Sequence, residues 1–200
     1  MLFEIAEYIG IISFSLSGFY IAIRNNLDIL GVFISAFLTA LGGGIIRDTI
    51  ASRPPVSLIT LTPMLIVVGM VIILLLLKFH QKHSFDRKPI FVFIDSIGLV
   101  SFSISGALIA IDNNFAISGV IILSFITAVG GGISRDILIN VVPYVLKGGF
   151  YGIISVIIGV FVYLLDFFKI LNFTSLLLLL IFGITLRWIA FRKNWRLYKF

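Results

Sequence analysis

The sequence predicts an all-α polytopic membrane protein with seven transmembrane helices: two inverted three-helix repeats and a C-terminal helix, with helices 2 and 5 kinked at GGG. Three observations carry this reading. Hydrophobic residues make up 60% of the chain and charged residues 12%, with a mean hydropathy of +1.20, whereas soluble domains are roughly 45–50% apolar. Runs of about 20 nearly uncharged residues recur, long enough to cross a hydrocarbon core of roughly 30 Å as helices. A long stretch of the chain is written twice, at an offset of 88 residues, as from Gly42 to Gly130.

The first span, 3–23, follows the start "MLFEIAEYIG", which has no basic region and carries Glu4 and Glu7. A removable signal peptide is therefore not expected, and the helix stays. The second span, 29–50, contains "ALGGGIIRD", and the third is 56–77. After the basic loop "KFHQKHSFDRKP" come the fourth span, 90–111, and the fifth, 117–139, which contains "AVGGGISRD". The sixth is 145–165 and the seventh 171–189, the last outside the repeat and expected to be peripheral. One membrane domain covers 1–200, with repeat one at 3–79, repeat two at 90–167 and the extra helix at 171–191.

The repeated segments, "IGIISFSLSGFYIAIRNNLDILGVFISAFLTALGGGIIRD" and "IGLVSFSISGALIAIDNNFAISGVIILSFITAVGGGISRD", align without a gap and are identical at about half their positions. Each copy occupies three spans, an odd number, so the second enters the bilayer from the opposite face. Inverted repeats of this kind are a feature of transport proteins, with the working site near the midplane. Arg24, the loop cations Lys78, Lys82, Arg87 and Lys88, and the tail cations Arg192, Lys193, Arg196 and Lys199 fall on one side, against Arg53 and Lys169 on the other. The positive-inside rule makes the richer side cytoplasmic and leaves the N-terminus outside, as a multi-pass protein of the cell membrane. The net charge of +6 then meets lipid head groups, not nucleic acid.

Three adjacent glycines are a weak point in a helix, at roughly 1 kcal/mol each relative to alanine. Gly42, Gly43, Gly44 and Gly130, Gly131, Gly132 are therefore expected to kink or open helices 2 and 5 against a wet path. The competing reading is close helix packing, which small residues also serve. Arg47, Asp48, Arg135 and Asp136 lie near the ends of these helices, where cations can snorkel to the interface, yet their repetition favours a pore-lining or gating role. Neighbours in sequence diverge around a helix, so each is expected to find partners on other helices. Thr39 and Thr127 precede the triplets. Helices 1 and 4 carry polar stripes at helical spacing: Glu7, Gly10, Ser13, Ser17 and Asp95, Gly98, Ser101, Ser105. Glu7 and Asp95 would then head the two mouths and concentrate cations there. Each serine alone could simply bond its own helix carbonyl.

At these residues the sequence resembles the TRIC family, the trimeric intracellular cation channels, in a prokaryotic form. The doubled "GGGIIRD" and "GGGISRD" is the most specific part of the match. The resemblance implies a homotrimer in which each protomer has its own pore for monovalent cations, chiefly potassium, and no cofactor beyond the permeant potassium or sodium ions. A secondary transporter for a small solute such as glycine uses the same architecture and stays open as an alternative. An enzyme is not expected. Cysteine is absent, no H-E-x-x-H motif occurs, and the only histidines, His80 and His83, are in the basic loop.

Overall fold

The computed structural model describes residues 2–79, 88–147, 150–195 and 197–198. These form α1 (Leu2–Arg24), α2 (Ile29–Ile50), α3 (Val56–Ile59), α4 (Thr62–Leu76), α5 (Lys88–Asp112), α6 (Ile117–Leu138), α7 (Tyr144–Lys147), α8 (Tyr151–Phe167) and α9 (Phe173–Arg192). By length and composition α1, α2, α5, α6 and α9 can each cross a membrane, while α4 and α8 are shorter apolar helices of 15 and 17 residues. Most of the loop that carries Lys82, Arg87, His80 and His83, and the tail residues Arg196 and Lys199, lie outside the described residues.

The repeat reappears in the turns. Asn26 and its equivalent Asn114 adopt φ of 54° and 56°, and Ser52 and Asn140 adopt 53° and 57°. Asparagine tolerates this left-handed conformation because its short polar side chain bonds locally. Each residue lets the chain close its helix, as in the bonds from Leu27 N to Ala22 O and from Phe115 N to Ala110 O.

Equivalent helices pack on each other in antiparallel fashion. Along α1 and α5, Glu7 meets Ser105, Phe14 faces Gly98, and Ser17 meets Asp95, so a step forward on one helix is a step back on the other. Phe102 packs over Gly10 as Phe14 packs over Gly98, and the two rings meet edge to face with centroids 5.1 Å apart. A bulkier residue at either glycine would displace a fully buried ring. The α2–α6 crossing obeys the same rule, with Thr39 near Gly131 and Gly43 near Thr127. A two-fold axis between the pairs follows, and the repeats are inverted.

The expectation that the triplets open their helices is corrected. Neither triplet interrupts its helix: α2 runs unbroken through Gly42–Gly44, and α6 through Gly130–Gly132. The triplets lie where α2 and α6 touch. A Cβ on Gly43 would collide with the Thr127 carbonyl oxygen, one on Gly131 with that of Thr39, and one on Gly42 would stand 3.2 Å from Gly131 Cα. The interruptions fall instead in the third and sixth spans, each a single turn followed by a longer helix. Thr60 is extended at φ −127°, ψ 143°, and Pro63 begins α4, where its missing N–H would have had no intrahelical acceptor. The last helix is the least buried of the five long apolar helices, as its expected peripheral placement implies. Its outer face is exposed, but Gly183 lets α9 approach Val100 of α5 closely, and Leu176, Leu179 and Arg187 are buried.

Alanine at these positions separates packing from helix propensity. Gly43→Ala and Gly131→Ala should each destabilise by about 1–3 kcal/mol through overpacking. At Gly69 an added Cβ meets nothing, and at Gly132 only Arg135 Nη2 at 3.8 Å, so alanine there should be neutral or stabilise by up to about 1 kcal/mol. Thermal unfolding in detergent checks the ordering, and equal effects at all four sites would show that the α2–α6 contact is unimportant.

Candidate functional site

Arg47, near the end of α2, has no solvent exposure. An unneutralised guanidinium in such a place would be very costly, and the fold surrounds it with acceptors. Nη1 and Nη2 donate to the two carboxylate oxygens of Glu7, the latter at 3.1 Å. Nη1 also donates to Ser105 Oγ, which donates onward to Glu7 Oε2 at 2.6 Å. Nε donates to Asp48 Oδ1 at 2.8 Å, and the Phe3 ring lies 4.9 Å beneath the guanidinium. The remaining Asp48 oxygen accepts Val56 N at 3.0 Å, which fixes the start of α3. Three helices and the turn after α2 are thus tied through one side chain.

The symmetry-related cluster is built from the same parts but is more open. Ser17 donates to Asp95 Oδ1 at 2.8 Å, as Ser105 does to Glu7. Arg135 Nε donates to Asp136 Oδ1 at 2.9 Å, and Asp136 Oδ2 accepts Tyr144 N at 2.8 Å to start α7. Arg135 Nη1, however, reaches Thr39 Oγ1 at 3.3 Å, across the α2–α6 contact. Among the described residues no ion pair joins Arg135 to Asp95. A cavity of about 430 Å³ opens here, lined by Thr39, Asp95, Arg135 and Asp136 and rimmed by Arg24 and Lys147. Neither Arg47 nor Glu7 lines it. One end of the repeat interface is a polar vestibule, and the other is closed by a buried ion pair.

The remaining sequence-predicted residues divide. Thr39 and Thr127 bond back to the carbonyls of Ser35 and Leu123 at 2.6 Å, and pack over Gly18 and Gly106. Ser13 is buried on α1. Ser101 turns toward a small apolar cleft between α1, α5 and α9, and its buried hydroxyl has no hydrogen-bond partner among the described residues. Arg47 finds partners on other helices as expected, in Glu7 and Ser105, and it also folds back to place Nε on its neighbour Asp48. Glu7 and Asp95 do not stand free at the mouths. Both are buried and hydrogen-bonded between the repeats. Sequence reasoning passed over Tyr144, Tyr151 and Arg187. Arg187 was recognisable as a charge within an apolar span, which by default marks a functional position.

The family described as Glycine transporter matches residues 4–80 and again 92–166, one match in each half of the chain. The chain is 35% identical to the UPF0126 membrane protein YvgT of Bacillus subtilis (strain 168) over 164 residues, 81% of this chain and 80% of that protein. Among solved structures it matches one described by the structural basis for conductance through TRIC cation channels, at 33% identity and a TM-score of 0.88, covering 100% of this chain and 98% of the other. The chain belongs to the TRIC family. A second TRIC structure, a prokaryotic TRIC channel in 0.5 M KCl, agrees at 30% identity and a TM-score of 0.87, over 98% of this chain and 99% of the other. The TRIC chain is accordingly a multi-pass membrane protein, and it is not an enzyme.

Removal of Glu7 should strand a buried arginine. Glu7→Ala is expected to destabilise the TRIC chain by about 3–5 kcal/mol, and Ser105→Ala by about 1 kcal/mol. Combining Glu7→Ala with Arg47→Ala should cost less than the sum of the two. Thermal unfolding of the purified variants gives the comparison, and strict additivity would mean that Glu7 and Arg47 are not coupled.

Proposed function

We propose that this chain is a cation channel permeable to potassium, with one pore in each protomer of a homotrimer. The observation that carries the reading is the pair of polar clusters that the inverted repeats build between them. One is the vestibule beside Asp95 and Arg135, with Ser17 and Thr39 bonded to them, and the other is the Arg47–Glu7–Ser105 cluster. The glycine triplets keep α2 and α6 close, and Thr127, Ser13 and Asp136 are buried in the same repeats. The similarity to TRIC cation channels points the same way.

In the state described, Arg47 is the barrier. Its positive charge opposes a cation, and it donates four hydrogen bonds, to Glu7, Ser105 and Asp48. Conduction requires that the guanidinium leave the axis, and the four hydrogen bonds it donates set the energy of that step. Once it withdraws, Glu7 and Ser105 present oxygens to the path. On this reading the chain makes seven crossings, with α3–α4 and α7–α8 as interrupted spans, and the excess of Lys and Arg on one side would set the N-terminus outside and the C-terminus and the vestibule on the cytoplasmic side.

Purified protein in liposomes should dissipate a potassium gradient without a cosubstrate, and Arg47→Ala should raise single-channel open probability with little change in the potassium-to-sodium permeability ratio. Counterflow of labelled glycine in place of potassium leak would favour the transporter reading that the family description suggests. Topology is open to a separate check, since the chain has no native cysteine. Asn25→Cys and Ser52→Cys, both exposed, should react with an impermeant thiol reagent from opposite faces of intact cells. Labelling of both from outside would overturn the orientation.

A further inference from the structure

Arg187 is the one cation that α9 buries, on a helix whose other faces are largely apolar and exposed. Lipid contact explains the leucines and phenylalanines of this helix but not a buried guanidinium, which is expensive at membrane depth unless it is used. It points inward at a specific partner set. Nη2 donates to the Tyr144 hydroxyl at 3.0 Å, and the guanidinium lies 5.0 Å from the centroid of Tyr151 and 5.9 Å from that of Tyr144. The two rings meet edge to face at 5.3 Å. A cation held against two ring faces is attracted to both. Its Nε has no acceptor among the described residues, so the guanidinium is held by Tyr144 and the rings and not by a carboxylate.

Both tyrosines belong to the vestibule. Tyr144 begins α7, with its backbone N–H on Asp136, and Tyr151 begins α8 and lines the same cavity as Asp95. Repeat one has nothing comparable, because the residues equivalent to Tyr144 and Tyr151 are Val56 and Pro63 and no helix corresponds to α9. The asymmetry coincides with the difference between the two clusters. Glu7 is clasped by Arg47, whereas Asp95, with Tyr151 alongside, is not clasped by Arg135.

We infer that Arg187 is a positioning residue for the pore: it fixes Tyr144 and Tyr151 at the vestibule wall, and through Tyr151 keeps Asp95 from closing onto Arg135. This rests on the channel reading above. Loss of the Arg187–tyrosine unit frees Asp95 to form with Arg135 and Ser17 the arrangement that Glu7 makes with Arg47 and Ser105, and the vestibule then closes. The helix outside the repeats thereby sets the state of the second cluster.

Single-channel recording in symmetric potassium, with thermal unfolding of each variant, tests the inference. Tyr144→Phe removes one oxygen and keeps the ring, and Tyr151→Phe does the same beside Asp95. Each should lower open probability at least about threefold, the shift that the net value of one hydrogen bond carries, with unitary conductance unchanged and a cooperative unfolding transition retained. Arg187→Gln should lower it at least as far, Arg187→Lys should recover part of the loss, and Arg187→Gln with Tyr144→Phe should add little to either alone. Wild-type gating in both phenylalanine variants would overturn the inference even if Arg187→Gln fails to fold. Absence of potassium current from the wild-type protein would instead overturn the channel reading itself.

Discussion

A fully buried guanidinium leaves a protein little freedom, and the architecture of this chain follows from how Arg47 is neutralised. Its acceptors come from α1, from α5 and from its own helix, so α1, α2 and α5 must hold one register for the charge to be satisfied. Coulomb attraction in a medium of low dielectric is strong, but so is the cost of removing both ions from water. The balance favours the pair only because Ser105 and Asp48 satisfy what Glu7 leaves over. A cluster of this kind specifies an arrangement of helices more than it adds to stability. In a channel it has a second use, since a barrier made of hydrogen bonds can be opened by rearranging a few donors without unpacking a core.

The inverted repeat explains why such a barrier can sit in the interior at all. A two-fold axis between antiparallel α1 and α5, and between α2 and α6, brings residues near the N-terminal end of one helix against residues near the C-terminal end of its equivalent. Serines and carboxylates that lie far apart in sequence, such as Glu7 and Ser105, therefore meet, and they do so twice. Phenylalanine over glycine at Phe14–Gly98 and Phe102–Gly10 fixes the spacing of the first pair of helices. Backbone against glycine at Gly43 and Gly131 fixes the second.

How much of this could be read in the sequence follows from the range of each interaction. Repetition at a fixed offset and an odd number of spans are enough to infer inversion, and hydropathy is enough for the helices, because both depend on patterns within a few tens of residues. The glycine triplets show where that ends. Local propensity marks Gly42–Gly44 as a weak point, yet the helix is continuous, because its neighbour is Thr127, far along the chain, and close packing uses the absence of side chains. The same holds for Glu7 and Asp95. Their depth on a stripe was legible, but not that the opposite stripe would cover them. The third span is interrupted at Thr60, just ahead of Pro63, and proline within an apolar run was the available signal.

The two clusters also show how side chains make a symmetric backbone functionally unequal. Glu7 and Asp95 are equivalent positions that differ by one methylene, and each accepts a serine hydroxyl from the other repeat. The longer carboxylate reaches Arg47 with both oxygens. The shorter one stops at Ser17, with Tyr151 beside it, while Arg135 turns to Thr39. If both ends carried the same acid and the same neighbours, the two-fold axis would make the two clusters equal in energy and neither end would be preferred. A shorter acid on one side, with two tyrosines and the arginine of α9 next to it, removes that degeneracy. The buried ion cluster then falls at one end of the repeat interface and the open vestibule at the other, so duplicated halves give two unequal ends.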